Sequence, residues 1–283
     1  MIVVKTTEEL NEVLLPIREQ GLSIGFVPTM GALHAGHISL VKKCVSDNEA
    51  AVVSIFVNPT QFNDQNDLIN YPRTLDADLL LLEPTGVTVV FSPGVEDVYP
   101  EKDTRQFDFG TLDKVMEGKH RPGHFNGVAQ VVSRFFDLVK PTRAYFGEKD
   151  FQQIAIIRAM VKQLDLPVEI VSMPIIREES GLALSSRNER LTPQQRKLAV
   201  KISEALAKSR NFATRNSVAD TIEEVIRDIN SNDGLQVEYF EIVDGNTLQQ
   251  IQEWRNTDYA VGCVTVFCGQ VRLIDNITYF TRL

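Results

Sequence analysis

Cysteine is scarce and poorly placed for pairing. The three residues, Cys44, Cys263 and Cys268, are an odd number without metal-ligand spacing. They exclude a disulfide framework and fit a reducing compartment, each reading as a small buried hydrophobe. Positive charge is also short, with 29 Lys and Arg against 38 Asp and Glu and a net charge of −9. A broad nucleic-acid surface needs the opposite balance, so nucleic acid is excluded as a partner and any anion must meet a local basic pocket. No apolar run approaches the ~18 residues that span a bilayer. The opening Met1–Lys5 is too short an apolar run for a signal peptide and leads into acidic residues. The expectation is a cytoplasmic protein without a membrane partner. Internal repeats and low-complexity segments are also missing.

What is present is the balance of a globular protein, 43% apolar and 24% charged over 283 residues, a length that suits two domains. Ile2–Val4 reads as a strand. Thr6 with Glu9 forms a capping box that opens a helix; Pro16 falls inside the pattern and leaves its later part open, and Gly21 ends it. Leu22–Val27 is apolar and strand-like, and a helix near Gly36–Asp47 presents Ile38, Val41 and Val45 on one face. Ala51–Val57 is a β-branched run of the kind buried on both faces. Helices at Leu75–Leu82, Gly127–Val139 and Phe151–Leu164 alternate with strands at Val87–Phe91, Ala144–Phe146 and Val168–Met173. This alternation predicts an α/β fold, a parallel sheet wound on both faces.

The texture changes after Pro174. A polar stretch, Ile175–Arg190, precedes a helix capped by Thr192-Pro193 and a second near Val218–Ile229. Strands follow at Gln236–Val243, Tyr259–Phe267 and Val271–Ile274, the last two joined by the hairpin Cys268-Gly269-Gln270. The expected division is 1–175 and 176–283, the second part a smaller α+β domain.

Ligands of open parallel sheets bind beyond the carboxyl ends of the strands. Three unusual stretches fall there: Pro28–His37, Asn58–Phe62 and Gly147–Asp150. In the first, His34-Ala35-Gly36-His37 places two imidazoles at a helix start, where backbone N–H groups converge on an anion such as a phosphate. A pair of surface or capping histidines is the plainer reading. Zinc is a rival, but no Glu lies between them and no cysteine stands at metal-motif spacing. Lys149, between Glu148 and Asp150, supplies either a charge for phosphate or an ordinary solvated turn. Ser185-Ser186-Arg187-Asn188 reads equally as a phosphate clamp or a loop before a helix. Gln61 and Gln153 are neutral amides suited to a small hydroxy acid. Arg121-Pro-Gly-His124-Phe-Asn-Gly127 either faces an anion or forms the turn that sets the Gly127 helix.

In series, Phe26–His37, Val57-Asn-Pro-Thr-Gln-Phe62, Tyr71-Pro-Arg-Thr74, Arg121-Pro-Gly-His-Phe125, Phe146–Gln153 and Gly181-Leu-Ala-Leu-Ser-Ser-Arg-Asn188 resemble the pantoate–β-alanine ligase (pantothenate synthetase) family over essentially the whole chain. One departure is Ser180, where that family usually has Asp. The resemblance implies a Rossmann-like domain of the His-x-Gly-His nucleotidyltransferase group that binds ATP and pantoate, with a C-terminal lid, usually in a homodimer. It implies ATP with Mg²⁺, (R)-pantoate and β-alanine as ligands, and pantoyl adenylate as intermediate. By position, the ATP loop comprises Met30, Gly31, Ala32, Leu33, His34, Ala35, Gly36 and His37, with His34 and His37 on the phosphates. Gly147, Glu148, Lys149 and Asp150, then Ile176, Leu184, Ser185, Ser186 and Arg187, complete the nucleotide contacts. Gln61 and Gln153 hold pantoate, and Gln61 also lies near β-alanine. His34, His37 and Lys149 carry the chemistry, by stabilising phosphoryl charge. Mg²⁺ is expected on phosphate oxygens and water with no protein ligand assigned, Asp76 and Asp78 being the acidic candidates. Another adenylyltransferase of the same motif group is the alternative.

Overall fold

The computed structural model describes residues 1–63 and 65–282. Strands β1 (Ile2–Val4), β2 (Ile24–Thr29), β3 (Ala50–Ile55), β4 (Val89–Phe91), β5 (Arg143–Gly147) and β6 (Glu169–Met173) form one sheet in the order β1-β4-β3-β2-β5-β6. Every pairing in it is parallel. Because side chains alternate along a strand, Val27, Val53 and Val90 point to one face, into a cluster with Leu40, Val41 and Cys44 of the helix Ala35–Asp47. Phe26 and Phe91 point to the other, edge-on to Phe135 of the helix His124–Val139. The sheet is therefore wound on both faces, as the alternation predicts.

Local signals set several boundaries. The Glu9 N–H donates to Thr6 Oγ1 at 3.2 Å and the Thr6 N–H to Glu9 Oε2 at 3.3 Å, starting the helix Thr7–Glu19. That helix runs straight through Pro16. The carbonyl that Pro16 leaves without a donor belongs to exposed Glu12, while buried Leu10 and Leu14 anchor the inner face. The Gly127 helix begins three residues earlier, at His124, and the strand that starts at Val271 extends to Thr281 rather than Ile274. Short helices at Gln65–Ile69, Val95–Val98 and Met116–His120 lacked a periodic apolar pattern to announce them.

The chain divides into two compact units. One comprises Met1–Gly110, Arg121–Glu148 and Gln153–Pro174; the other comprises Thr111–His120, Lys149–Gln152 and everything from Ile175 onward. The second unit thus includes two excursions from the earlier part of the chain besides the stretch after 175. Its sheet is antiparallel, β7 (Leu235–Asp244), β8 (Tyr259–Cys268) and β9 (Val271–Thr281) in that order. Phe240, Ile242, Val264 and Val266 form a core with Ile202, Leu206, Val225 and Ile229 from the helices Pro193–Ala213 and Val218–Asn230. Tyr239 and Thr265, opposite each other across β7 and β8, each donate a hydroxyl hydrogen bond of 2.9 Å to Glu117. Arg272 adds two guanidinium bonds of 2.7 Å to the same carboxylate. These bonds hold Met116–His120 to the sheet. Gln152 ties in similarly, its amide donating to the carbonyls of Leu112 and Val115 at 2.7 and 2.9 Å.

Candidate active site

Connections from β2 run through β3 to β4 on one side, while β5 and β6 lie on the other side of β2. The strand order therefore reverses between β2 and β5, which is where a doubly wound sheet opens a crevice at its carboxyl ends. The segment Met30–Leu33 leaves β2 at this point and Gly147 ends β5.

The loop after β2 is held by backbone hydrogen bonds to one buried carboxylate. Asp78 accepts the Ala32 N–H at 3.0 Å and the Leu33 N–H at 2.7 Å. Gly31 has φ +81°, a conformation that favours glycine, and a Cβ there would sit tightly, 3.0 Å from Asp78 Oδ2 and 3.2 Å from Ile55 Cγ2. The loop delivers the chain to His34, which is the N-cap of the helix Ala35–Asp47. Its Nδ1 accepts the Gly36 N–H at 3.1 Å, and His37 Nδ1 accepts the His34 N–H at 3.3 Å. The capping box usually made by Ser or Thr and Glu is built here from two imidazoles. A ring nitrogen that accepts a backbone N–H carries no proton in the neutral ring, so each Nε2 is the protonated donor. The two half-buried rings stand 4.1 Å apart at the N-terminus of the helix. Two imidazoles at the positive end of a helix are the kind of arrangement that suits an anion.

Gln61 lies beside this loop, its amide N–H donating to Met30 Sδ at 3.1 Å. It ends the short 3₁₀ turn Pro59–Gln61 capped by Asn58. Buried Asn58 is the hub: Nδ2 donates to Gln61 Oε1 at 3.2 Å and to the Gly127 carbonyl at 3.1 Å, while Oδ1 accepts the Tyr99 hydroxyl at 3.0 Å. Gln153 is half-buried in the first turn of the helix Phe151–Gln163. The segment Arg121–Gly127 serves as the turn that sets the helix His124–Val139, with His124 directed to the Gln61 carbonyl.

The other expected residues fall in the second unit, with Gly147 and Glu148 remaining in the first. Lys149 pairs with Asp150 at 3.3 Å, and its carbonyl accepts the Asn276 amide at 3.2 Å. Ile176 and Leu184 are joined by a backbone bond of 3.0 Å that closes a small hairpin over Glu178–Gly181. Arg177 in that hairpin makes a bidentate pair with Asp275, at 2.7 and 2.8 Å. Ser180 is exposed at its tip, with its hydroxyl near Glu178 Oε2 at 3.5 Å. Ser185 caps the turn Ser186–Arg190 by accepting the Arg187 N–H at 3.2 Å.

Sequence reasoning named Asp78 only as an acidic candidate for Mg²⁺. Its two oxygens are instead taken by the loop amides. Among the described residues no group of three or more His, Cys, Asp or Glu is arranged to hold a metal ion. The hub role of Asn58 and the contribution of Tyr99 have no local sequence signature beyond an amide-rich loop.

The parallel sheet, reversed in order between β2 and β5 and carrying a paired-imidazole helix cap at that point, is Rossmann-like. The model of the family described as pantoate-beta-alanine ligase matches residues 2–278. A pantothenate synthetase from Bacteroides fragilis is 61% identical over 279 residues, with 99% of each chain covered. The crystal structure of pantothenate synthetase from Thermus thermophilus superposes with a TM-score of 0.93 at 44% identity, covering 99% of this chain and 100% of that one. A pantoate-beta-alanine ligase from Francisella tularensis, solved in complex with beta-gamma ATP and beta-alanine, gives a TM-score of 0.84 at 37% identity, with 99% and 98% covered. The chain belongs to the pantoate–β-alanine ligase family.

Proposed function

We propose that this protein condenses (R)-pantoate with β-alanine, cleaving ATP to AMP and pyrophosphate through a pantoyl-adenylate intermediate. The observation that carries the reading is the pair of imidazoles whose Nδ1 atoms accept backbone N–H groups at 3.1 and 3.3 Å, which makes both Nε2 atoms N–H donors at a helix N-terminus.

In the first step a pantoate carboxylate oxygen attacks the α-phosphorus, and the bond to pyrophosphate breaks. Negative charge grows on the departing phosphates, and donors fixed beforehand by the cap meet it without reorganising. Pyrophosphate is already a competent leaving group, so His34 and His37 act by stabilising charge rather than by giving up a proton. Lys149 adds a full positive charge, and Gly147–Asp150, Ile176 and Leu184–Arg187 complete the hold on the nucleotide. Gln61 and Gln153 bind the pantoate hydroxyl and carboxylate without placing another fixed charge beside the reacting phosphate. In the second step the β-alanine amine attacks the acyl carbonyl, the bond to AMP breaks, and the amine loses a proton to give the amide.

Mg²⁺ enters with ATP. With Asp78 committed to the Ala32 and Leu33 amides, phosphate oxygens and water are the ligands this ion ordinarily prefers. An acyl adenylate hydrolyses readily, so the two-step route needs water excluded, and the C-terminal unit is assigned the part of a lid. Homodimer assembly and a cytoplasmic location belong to the same reading. No helix among the described residues is long and apolar enough to cross a membrane.

The test is AMP release from ATP and pantoate, with and without β-alanine. A stoichiometric burst of pyrophosphate without β-alanine, and sustained turnover with it, are expected. Equal AMP formation with unrelated acceptors, or none with pantoate and β-alanine together, overturns the ligase reading.

A further inference from the structure

The Arg121–Gly127 turn contains a buried histidine that the reaction does not require as acid, base or phosphate donor, yet it is hydrogen-bonded at both ring nitrogens. His124 Nε2 lies 3.1 Å from Arg121 Nη1, and Nδ1 lies 2.8 Å from the Gln61 carbonyl oxygen. A guanidinium has only donors, so Nε2 must accept. A carbonyl only accepts, so Nδ1 must carry the proton. The neighbours thus fix one neutral tautomer, opposite to that of His34 and His37. Two further contacts join the same elements. The Asn58 amide bridges Gln61 Oε1 and the Gly127 carbonyl, and a Cβ at Gly127 would lie 2.5 Å from the Thr60 carbonyl oxygen and 2.9 Å from Gln61 Cα. The turn Pro59–Gln61 is therefore clamped on the first turn of a long helix by a side chain at each end and by direct backbone contact.

We propose that His124 is a positioning residue for pantoate, acting through Gln61: its Nδ1–H fixes the Gln61 backbone so that the side-chain amide is presented to the substrate in one orientation. The inference rests on the placement of Gln61 at pantoate. It assigns His124 no contact with substrate, so loss of the Nδ1–H should weaken pantoate recognition and leave ATP recognition intact.

His124→Leu fills the ring's volume without a donor. His124→Asn restores an N–H close to the position of Nδ1 while giving up the contact with Arg121. Steady-state kinetics with pantoate and ATP varied separately, together with a thermal melt of each variant, make the comparison. His124→Leu should raise the pantoate KM about 5- to 50-fold, the range of one lost buried hydrogen bond, with the ATP KM within twofold of wild type. His124→Asn should recover most of that change. Equal impairment in both variants, or a parallel rise in the ATP KM, overturns the proposal in favour of a merely structural role. Gln61→Ala is the control. If its pantoate KM is unchanged, the placement of Gln61 itself fails; if it rises while His124→Leu behaves as wild type, only the role of His124 fails.

Discussion

Asp78 accepts the Leu33 N–H at 2.7 Å across 45 residues of sequence, and its second oxygen accepts the Ala32 N–H at 3.0 Å. One buried carboxylate thus fixes the two residues before the histidine cap. Asp78→Asn keeps the size but offers a single oxygen, so one loop amide loses its partner or meets an N–H. Hydrogen bonds to a buried charged group contribute roughly 1.5–3 kcal/mol each, so a loss of about 2 kcal/mol in urea-denaturation stability is expected. Turnover should fall as well, because His34 and His37 hang from this loop. Wild-type stability in Asp78→Asn would show that the loop holds itself.

His34→Ala and His37→Ala should each lose ~2–4 kcal/mol of transition-state stabilisation, the range of a lost oxyanion donor. Capping and catalysis can be separated at His34. In His34→Asn the amide oxygen can accept the Gly36 N–H that His34 Nδ1 accepts at 3.1 Å, while no donor reaches the position of Nε2. Its melting temperature should stay near wild type while single-turnover adenylate formation drops as in His34→Ala. Comparable adenylate formation in His34→Asn and wild type would confine the histidine to its cap.

Periodicity was enough to show the alternating strands and helices, because Val27, Val53 and Val90 on one sheet face and Phe26 and Phe91 on the other leave a continuous apolar record. The histidine motif was legible as a phosphate site, since both donors lie within four residues. What sequence could not show depends on contacts between distant segments. Nothing near Asp78 says that it faces Ala32, and nothing in Met116–His120 says that Arg272 holds it. The tautomers of His34, His37 and His124 follow only from the atoms opposite each ring nitrogen.

Asp103 gives a pH signature. Arg105 bonds it through Nε at 3.0 Å and Nη2 at 2.6 Å, and this pairing holds the Asp103 carboxyl below the usual carboxylate range. A depressed native pKa adds stability above the unfolded value of about 3.9 and loses it as pH falls through the native value. Wild type should therefore exceed Asp103→Asn in melting temperature by a constant margin above about pH 5, with the margin closing on further acidification. A margin that is unchanged at pH 3 would mean that the carboxylate charge is not what Arg105 stabilises.

Glu117 and Arg272 form the fork that joins the short helix Met116–His120 to the antiparallel sheet, with side-chain exposures of 13% and 22%. Arg272 also bonds Glu238, through Nε at 2.9 Å and Nη2 at 2.5 Å, while burial, then the nearby Glu117 charge, pushes the Tyr239 hydroxyl pKa up and keeps it a donor. Breaking a buried pair by removing one partner costs about 3–5 kcal/mol. Because Arg272 retains Glu238, Glu117→Ala should fall toward the lower end, near 3 kcal/mol. It should also release Thr111–His120 to proteolysis before the rest of the chain unfolds. Protease protection of that segment in Glu117→Ala equal to wild type would mean that other contacts hold the helix and the fork is dispensable.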